Sequence, residues 1–503
     1  MSLPVELLEM IFGYCHLGCR WHKWHDPSLS ETLLDFPYSL AAVDPLWNAI
    51  LLRHQKYWSR VTRAVFNVDS KTPTHIEDAK TLLRHMVQPG PGNHHGFRQF
   101  HVAIIRRSKA NPDDAAEEER VRKLMDLLAP EMLHFKSILV DVHGSLSLPS
   151  VTTYFGNVAA LPFFRSLKYL CDVDDSGGAR QPPSCKLITE GFHESKVTSM
   201  VLDGYTFRRN DSWLRAHKML KSLTVSHLSH STVTDEVRGI VDVHEALKAV
   251  AFLANATGWK GNLQYLKFRD VKFASRDSMC RAFNVLMCLP RYGKLQSIVF
   301  EDADPWFLED LTRSIFLSAG IHRDLDQPAP MELHLKCGET SREIPIHARR
   351  WRHARLVLEG YDRHHLTTSY PFDQEGFLSS ELHLINCPGF TDSELETLSR
   401  VDATTQNPVF STNLTYLKLK DCHDFTIQAL KNMVSARAMV WRDGSRIAGW
   451  EKRRLNSLEV RGYGAPLSAK DKKWFRAHLK DFSWDGPVPR RSLRKLTVGS
   501  EED

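Results

Sequence analysis

A short apolar motif recurs along most of this chain and limits what it can fold into. The motif is Leu-x-x-Leu-x-Leu or a close variant, followed by a loop and a helix, and it returns every 23 to 43 residues, roughly. A single unit of this kind cannot bury its apolar face, so each unit must stack on its neighbours. The copies span residues 135–140, 164–170, 197–202, 220–225, 263–268, 295–300, 332–337, 354–358, 381–387, 414–419, 455–460 and 493–498.

This repeat predicts an α/β fold, an irregular solenoid with a curved parallel sheet inside and helices outside. Residues between the leucines should project from the strands onto a concave binding surface. Upstream of the repeats, Thr62 to Asp69 and Phe100 to Ile105 are predicted strands, and His75 to Met86 and Asp113 to Leu128 are predicted helices. The segment Arg437 to Arg454 is predicted to be a surface loop.

Composition describes a folded protein of ordinary polarity. Hydrophobic residues make up 42% of the 503 residues and charged residues 25%, which argues against disorder. The formal net charge of +6, from 66 basic and 60 acidic residues, gives little drive toward nucleic acid. No apolar run approaches the roughly 18 residues of a membrane-spanning helix, and the N-terminus lacks a secretory signal. No membrane contact is therefore predicted.

The sequence carries no recognisable catalytic motif. It lacks a glycine-rich phosphate loop, an HExxH helix and a nucleophile elbow, so neither an enzyme nor a cofactor is predicted. The nine cysteines are scattered, which predicts a reducing cytoplasmic or nuclear location.

The N-terminus reads as three short helices. Leu7, Leu8, Ile11, Phe12 and Cys15 recur at helical spacing and form one apolar stripe. A second helix is predicted over residues 38–43 and a third from residue 45 onward. By periodicity alone, such a stripe is more often the core of a small helical domain than a contact surface.

Three separated segments change that interpretation. Leu-Pro-Val-Glu-Leu-Leu-x-x-Ile-Phe at residues 3–12, Ser-Leu-Ala-Ala-Val at 39–43 with Trp47, and Tyr-Trp-Ser-Arg-Val at 57–61 occur in the order of an F-box. About the first 65 residues therefore resemble an F-box, in the form common in fungal F-box proteins. The resemblance implies a domain order of F-box over 1–65, a linking strand and helix segment that starts the solenoid over 66–131, and a leucine-rich-repeat-like solenoid over 132–503.

In that family the three-helix unit binds the Skp adaptor, which joins it to a cullin scaffold. The resemblance implies an apolar surface that enters a groove of the adaptor, with aromatic residues providing much of the binding energy. Carried over by position, the adaptor-facing residues are Leu3, Pro4, Leu7, Leu8, Ile11 and Phe12, completed or supported from behind by Val43, Trp47 and Trp58.

Two repeats resemble the cysteine-containing leucine-rich repeats often found behind F-boxes. They run from Leu382 to Leu395 and from Leu414 to Leu430. The resemblance implies that Cys387 and Cys422 are buried structural thiols, with Cys337 in a degenerate third copy.

These features predict a substrate-recognition subunit of an SCF-type cullin–RING ubiquitin ligase, whose solenoid binds an unidentified protein substrate. One alternative is a repeat scaffold that does not serve a ligase. Another is a phosphate- or nucleic-acid-binding solenoid, because guanidinium groups pair well with phosphate. Such a solenoid would bind through a cluster of arginines around Trp351. The alternative interpretation of this cluster is a solvated outer face. That cluster is Arg349, Arg350, Arg352 and Arg355.

A zinc site at the N-terminus is the last candidate. Cys15, Cys19, His22 and His25 carry the ligand types that zinc prefers. Cys15 lies on the apolar stripe, however, and the Cys-x-x-Cys spacing is missing. An exposed histidine-rich loop is therefore predicted instead, and no metal.

Overall fold

Contacts between residues divide the chain into two units, Met1–Leu263 and Gln264–Asp503, and each combines parallel strands with helices. The computed structural model describes residues 3–18, 37–41, 43–58, 61–69, 71, 73–87, 99–106, 116–156, 161–173, 195–229, 247–248, 250, 253, 262–272, 295–303, 331–337, 354–361, 380–401, 414–439, 455–462 and 467–485. The predicted α/β class is confirmed.

In the first unit, each strand pairs in parallel with the next one along the chain. The strands are β1 (Arg63–Asn67), β2 (Phe100–Ile105), β3 (Phe135–Gly144), β4 (Ser166–Val173), β5 (Ser199–Asp203) and β6 (Ser222–Ser229). The helices are α1 (Val5–Gly18), α2 (Tyr38–Ala41), α3 (Pro45–Arg53), α4 (Gln55–Trp58), α5 (Ile76–Val87), α6 (Glu117–Leu128), α7 (Val151–Phe155), α8 (Gly204–Arg209) and α9 (Asp211–Arg215). Two 3₁₀ segments, Ala129–His134 and Ser145–Ser147, flank β3.

In the second unit, the strands again pair in parallel in chain order. They are β7 (Tyr265–Lys272), β8 (Ser297–Glu301), β9 (Met331–Lys336), β10 (Ala354–Glu359), β11 (Glu381–Ile385), β12 (Tyr416–Lys420), β13 (Ser457–Arg461) and β14 (Asp481–Asp485). The helices are α10 (Asp392–Ser399), α11 (Ile427–Met439) and α12 (Ala469–His478).

The strand predictions hold wherever the structure describes the chain. Every repeat motif from 135–140 to 455–460 contains or overlaps a strand, and the two upstream strands and helices are also present. The last motif, 493–498, lies outside the described residues. Strand β14 was not predicted, although the alternation of its sequence Asp-Phe-Ser-Trp-Asp signals a strand. Strand β1 begins at Arg63, so the domain boundary expected after residue 65 falls inside a strand.

Rows of leucines explain why the strands of the second unit align. Side chains two residues apart share a face of a strand, and the buried ones lie next to each other across the register. Burying one leucine contributes about 1.5 to 3 kcal/mol, so a one-residue slip, which would expose a whole row, is strongly disfavoured. One such row is Leu333, Leu356, Leu382, Leu417 and Leu458.

The residue after several strands adopts a left-handed backbone conformation. The φ values of these residues lie between 48° and 80°. The residues, in the order of the strands β8, β10, β11, β12 and β13, are Asp302, Gly360, Asn386, Asp421 and Gly462. Asn, Asp and Gly tolerate this region best. The N–H of Asn386 donates to Lys420 O at 2.7 Å and that of Asp421 to Arg461 O at 2.9 Å, so the turn continues the ladder between strands.

We expect Gly462→Ala to destabilise the second unit by about 1 to 2 kcal/mol. The φ of Gly462 is +71°, and a Cβ there would lie 2.0 Å from Asp421 Oδ1. Gly13→Ala in α1 is the control, because a Cβ at Gly13 meets nothing within 4 Å and alanine is the better helix former. Urea denaturation should show opposite changes for the two variants, and equal stability of Gly462→Ala and wild type would contradict the argument.

Of the three cysteines that were predicted to be buried, two are buried in the structure. Cys387 and Cys422 are fully buried, and their thiols donate to Leu358 O and Leu384 O at 3.4 and 3.6 Å. The hydrogen bond with Cys422, together with burial, raises the pKa of the Cys387 thiol. Cys337 is only half-buried, so the expectation is wrong there. Cys337 directly follows β9, one residue before the position that aligns with Cys387, and Tyr361 occupies the aligned, buried position after β10.

The predicted loop at Arg437 to Arg454 is wrong at its start. Helix α11 continues to Met439, and Arg437 is fully buried with its Nε donating to Leu398 O at 3.0 Å. Burial lowers the pKa of Arg437 to about 10. Residues 440–454 lie outside the described part of the chain.

Side-chain hydroxyls seal the outer edge of β1. Tyr38 Oη donates to Arg63 O at 2.5 Å and accepts from Val65 N at 3.1 Å, and Thr74 Oγ1 accepts from Asn67 N at 2.7 Å. An unpaired strand edge invites association with other strands, and these contacts satisfy it. They also attach α2 to the sheet of the first unit.

Candidate functional site

Helix α1 is apolar on two neighbouring faces, and only one of them is buried. Leu8 and Phe12 are in the core, whereas Leu7 and Ile11 point to solvent. Tyr14, one turn further on, is 71% exposed. Large continuous apolar stripes that remain exposed on folded proteins usually mark an interaction site.

The start of α3 extends this exposed surface. Asp44 caps the helix by accepting from Leu46 N at 2.7 Å, and Pro45 occupies the first turn, where its missing N–H costs nothing. This cap leaves Val43 and Leu46 in solvent. We call the whole surface the apolar patch; its members, each 41% to 71% exposed, are Leu3, Leu7, Met10, Ile11, Tyr14, Val43 and Leu46.

Contacts behind the apolar patch hold it rigid. The rings of Phe12 and Trp47 meet edge to face at 5.4 Å, which joins α1 to α3. His54 Nε2 lies 3.0 Å from Glu9 Oε1, and Tyr57 Oη donates to Glu9 O at 3.3 Å. A surface that is already ordered loses less conformational entropy on binding.

The structure divides the predicted adaptor-facing residues into two groups. Leu3, Pro4, Leu7, Ile11 and Val43 are exposed, as a contact surface requires. The expectation does not hold for Leu8 and Phe12, which are buried, and the ring of Phe12 packs against Trp47 of α3. Trp58, also buried, and the half-buried Trp47 occupy supporting positions. Met10, Tyr14 and Leu46 were not predicted to belong to this surface, although Met10 and Tyr14 continue the helical spacing of Leu3, Leu7 and Ile11.

A second candidate surface lies on the sheet of the second unit, opposite the leucine rows. Three rows of side chains run across its strands, and we call them the polar face. The first row is Tyr265, Ser297, Glu332, Arg355, Glu381, Tyr416, Ser457 and Asp481. The second is Lys267, Val299, His334, Val357, His383, Lys418, Glu459 and Ser483. The third is Arg269, Glu301, Lys336, Glu359, Ile385, Lys420, Arg461 and Asp485.

Ion pairs between neighbouring strands neutralise most of this face. Glu301 lies 2.5 Å from Lys267 Nζ and 3.4 Å from Lys336 Nζ. Burial of Glu301 opposes ionisation, but the hydrogen bond from Lys267 and the nearby cations leave its pKa lowered. The seven cations are matched by seven carboxylates, so the face suits a polar partner that carries both signs of charge better than one with a single sign.

Two histidines occupy the centre of the polar face. His334 Nε2 lies 3.0 Å from Glu359 Oε2, and the ring of His383 meets that of Tyr416 at 5.2 Å. Burial and the neighbouring cations Arg355 and Lys418 lower the pKa of His383 to about 4. Both groups are therefore neutral hydrogen-bonding groups at physiological pH in the folded protein.

His383 gives the protein a component of acid sensitivity. Because its folded pKa lies below its ordinary value, the unfolded chain binds more protons between those two values. The stability from this group is complete above about pH 6.5 and is lost as the pH falls toward 4, with a loss of about 1 to 2 kcal/mol near pH 5. His383→Gln, which does not titrate, should lose less stability than wild type in urea denaturation between about pH 7 and 5. Parallel declines would contradict this.

The remaining predicted sites are only partly described. Arg349, Arg350 and Arg352 lie outside the described residues, and Arg355 pairs with Glu381 at 2.6 Å and Glu332 at 3.6 Å. Cys19, His22 and His25 also lie outside them, and Cys15 is exposed. Within the part of the chain that is described, no three His, Cys, Asp or Glu side chains are grouped as metal ligands would be. The helices described there are each too short or too polar to cross a bilayer.

Comparison with known proteins adds no relative. The sequence matches no protein-family model, and no curated protein matches it. The apolar patch and the polar face therefore have to be interpreted from their own chemistry.

Proposed function

We propose that this chain is a substrate-recognition subunit of an SCF-type cullin–RING ubiquitin ligase. The helices up to Trp58 would be its F-box, and the stacked strand units would be leucine-rich-repeat-like. The apolar patch carries this proposal, because it exposes seven large apolar side chains at and around the positions of the F-box motif.

The apolar patch has the chemistry of a protein-docking surface. Its residues come from one helix and the start of another, which matches the way short amphipathic helices enter an apolar groove. Tyr14 and Met10 supply the large side chains that concentrate binding energy at interfaces. The Skp adaptor is the partner that the F-box resemblance implies for this surface.

The polar face is the natural candidate for holding the substrate. Its side chains project from strands whose other face is packed through buried rows of leucines. The polar face therefore offers a stable array of charges and hydrogen-bonding groups. In the proposed complex the chain performs no chemistry. It raises the effective concentration of substrate lysines near the ubiquitin-carrying enzyme.

The test is reconstitution. The chain should co-purify with the Skp adaptor and, through it, with cullin, and the assembled complex should ubiquitinate a protein that binds the second unit. A complex with the adaptor that excludes cullin would favour a repeat scaffold outside any ligase. Failure to bind the adaptor at all would reject the proposal.

A further inference from the structure

The outward face of α12 concentrates positive charge. Lys470, Lys472, Lys473 and Arg476 are exposed on this helix, and exposed Lys480 follows its end. None of the five forms an ion pair with any residue that the structure describes. Ala469 and Ala477, also exposed, complete this surface, which we call the basic face.

The opposite side of α12 holds the helix against the rest of the unit. Phe475 is fully buried and stacks on Phe482 of β14 at 4.9 Å. Trp474 stacks on His478 at 3.9 Å, and Asp471 pairs with Lys431 of α11. Hydrogen bonds from Lys431 and Ser468 lower the pKa of Asp471, so the one acidic side chain of this helix is already engaged.

The arrangement of the basic face works against the stability of its own helix. Lys472 and Arg476 are four residues apart and Lys470 and Lys473 three apart, which places like charges next to each other. Lys470 and Lys472 lie near the helix N-terminus, where the helix dipole disfavours cations. Within the described residues, the packing contacts of α12 are made by other side chains.

Several other cations of the second unit form ion pairs, unlike those of the basic face. On the polar face, Lys267, Lys336, Arg355 and Lys418 each pair with a carboxylate. The acidic side chains of β14, Asp481 and Asp485, project to the polar face, and Phe482 and Trp484 face α12. The basic face is therefore separate from the acidic groups of the neighbouring strand.

We propose that the basic face of α12 is a docking site for an acidic segment of a partner protein. Residues four apart on a helix are separated by about 6 Å along its axis, close to the roughly 6.8 Å between alternate side chains of an extended peptide. Alternating carboxylates would thus meet Lys472 and Arg476 together.

The composition of the basic face favours a protein over other polyanions. Four of its five cations are lysines, which act as point charges, whereas arginine is the preferred residue for the paired contacts of phosphate recognition. It exposes no aromatic side chain for stacking on bases, and its only apolar members are alanines, too small to enter a lipid surface.

Fluorescence anisotropy with a labelled peptide of alternating glutamate and serine tests the proposal on the full-length protein. The peptide should bind at about 25 mM salt and dissociate progressively as salt rises, because exposed charges are screened. Lys472→Glu with Arg476→Glu should weaken binding by about tenfold or more. This variant exchanges one exposed like-charge pair for another, so its thermal unfolding should stay close to that of wild type. If it is lowered, Lys470→Gln with Lys473→Gln replaces this variant.

The matched control is Lys80→Glu with Arg84→Glu on α5, two exposed cations at the same spacing and with the same change of net charge. Binding that survives in the control but not in the α12 variant supports the proposal. No binding by wild type at low salt, or equal loss in both variants, overturns it. Tighter binding of an oligouridine or of phosphatidylserine vesicles at the same face would also overturn it. None of these outcomes depends on adaptor docking.

Discussion

Leu7→Asp combined with Ile11→Asp is expected to abolish co-purification with the Skp adaptor while the protein remains folded. Both side chains are exposed on the apolar patch, so the free protein tolerates aspartate there. In the complex each carboxylate would be transferred into an apolar groove, at a cost of about several kcal/mol. A micromolar complex has a binding free energy of about 8 kcal/mol, so two such penalties should remove it.

The control for this variant is another pair of exposed apolar residues in the same unit. Leu133 and Met219 are 51% and 39% exposed and lie outside the apolar patch. Leu133→Asp with Met219→Asp should leave adaptor binding unchanged. Retained binding in the Leu7 and Ile11 variant, with circular dichroism matching wild type, would exclude the apolar patch as the docking surface. Leu8 is unsuitable for this test because it is fully buried and its replacement would unfold α1.

Trp58→Ala is expected to destabilise the N-terminal helices by about 3 to 5 kcal/mol. Trp58 is fully buried, its Nε1 donates to Leu51 O at 3.0 Å, and its ring meets Tyr38 edge to face at 5.3 Å. Tyr38 in turn seals the edge of β1, so the cavity would loosen both α3 and the attachment of α2 to the sheet.

Hydrogen exchange resolves this effect from global unfolding. Amides of α1 and α3 in Trp58→Ala should exchange much faster than in wild type, while those of the second unit should keep their protection. Trp58→Phe, which keeps most of the ring but loses the hydrogen bond, should cost only about 1 to 2 kcal/mol. Unchanged exchange in Trp58→Ala would contradict the supporting role of this residue. In Trp58→Ala, adaptor binding should weaken together with a loss of helical order. In the Leu7 and Ile11 variant, adaptor binding should weaken while the helices stay ordered.

The strands of this protein could be predicted from its sequence because their apolar residues alternate with a period of two. Leu382 and Leu384 face the core and His383 does not, and the same alternation identifies Leu417, Leu419 and their counterparts in other repeats. Alternation of this kind is local information and needs no knowledge of neighbouring strands. Cys387 and Cys422 do not follow this alternation, and their burial was predicted from the resemblance to cysteine-containing repeats.

Local pattern could not say which apolar face of α1 is outside. Leu7 and Leu8 are adjacent, equally apolar and on different sides of the helix, so no polar side identifies the exposed one. The choice is made by α3, whose Trp47 packs against Phe12. For the same reason the F-box resemblance named Leu8 and Phe12 alongside residues that are exposed.

Pairing between distant residues was likewise decided by tertiary structure alone. Arg355 meets Glu332 and Glu381, and Lys418 meets Glu459, because parallel strands bring together residues more than 20 positions apart in the sequence. Most charges on the polar face are thereby neutralised, while the exposed cations of α12 form no ion pair among the described residues. Sequence patterns specify the strands and which of their side chains are buried, because those depend on neighbours along the chain. The register between strands and the packing of helices select which exposed groups remain available to a partner.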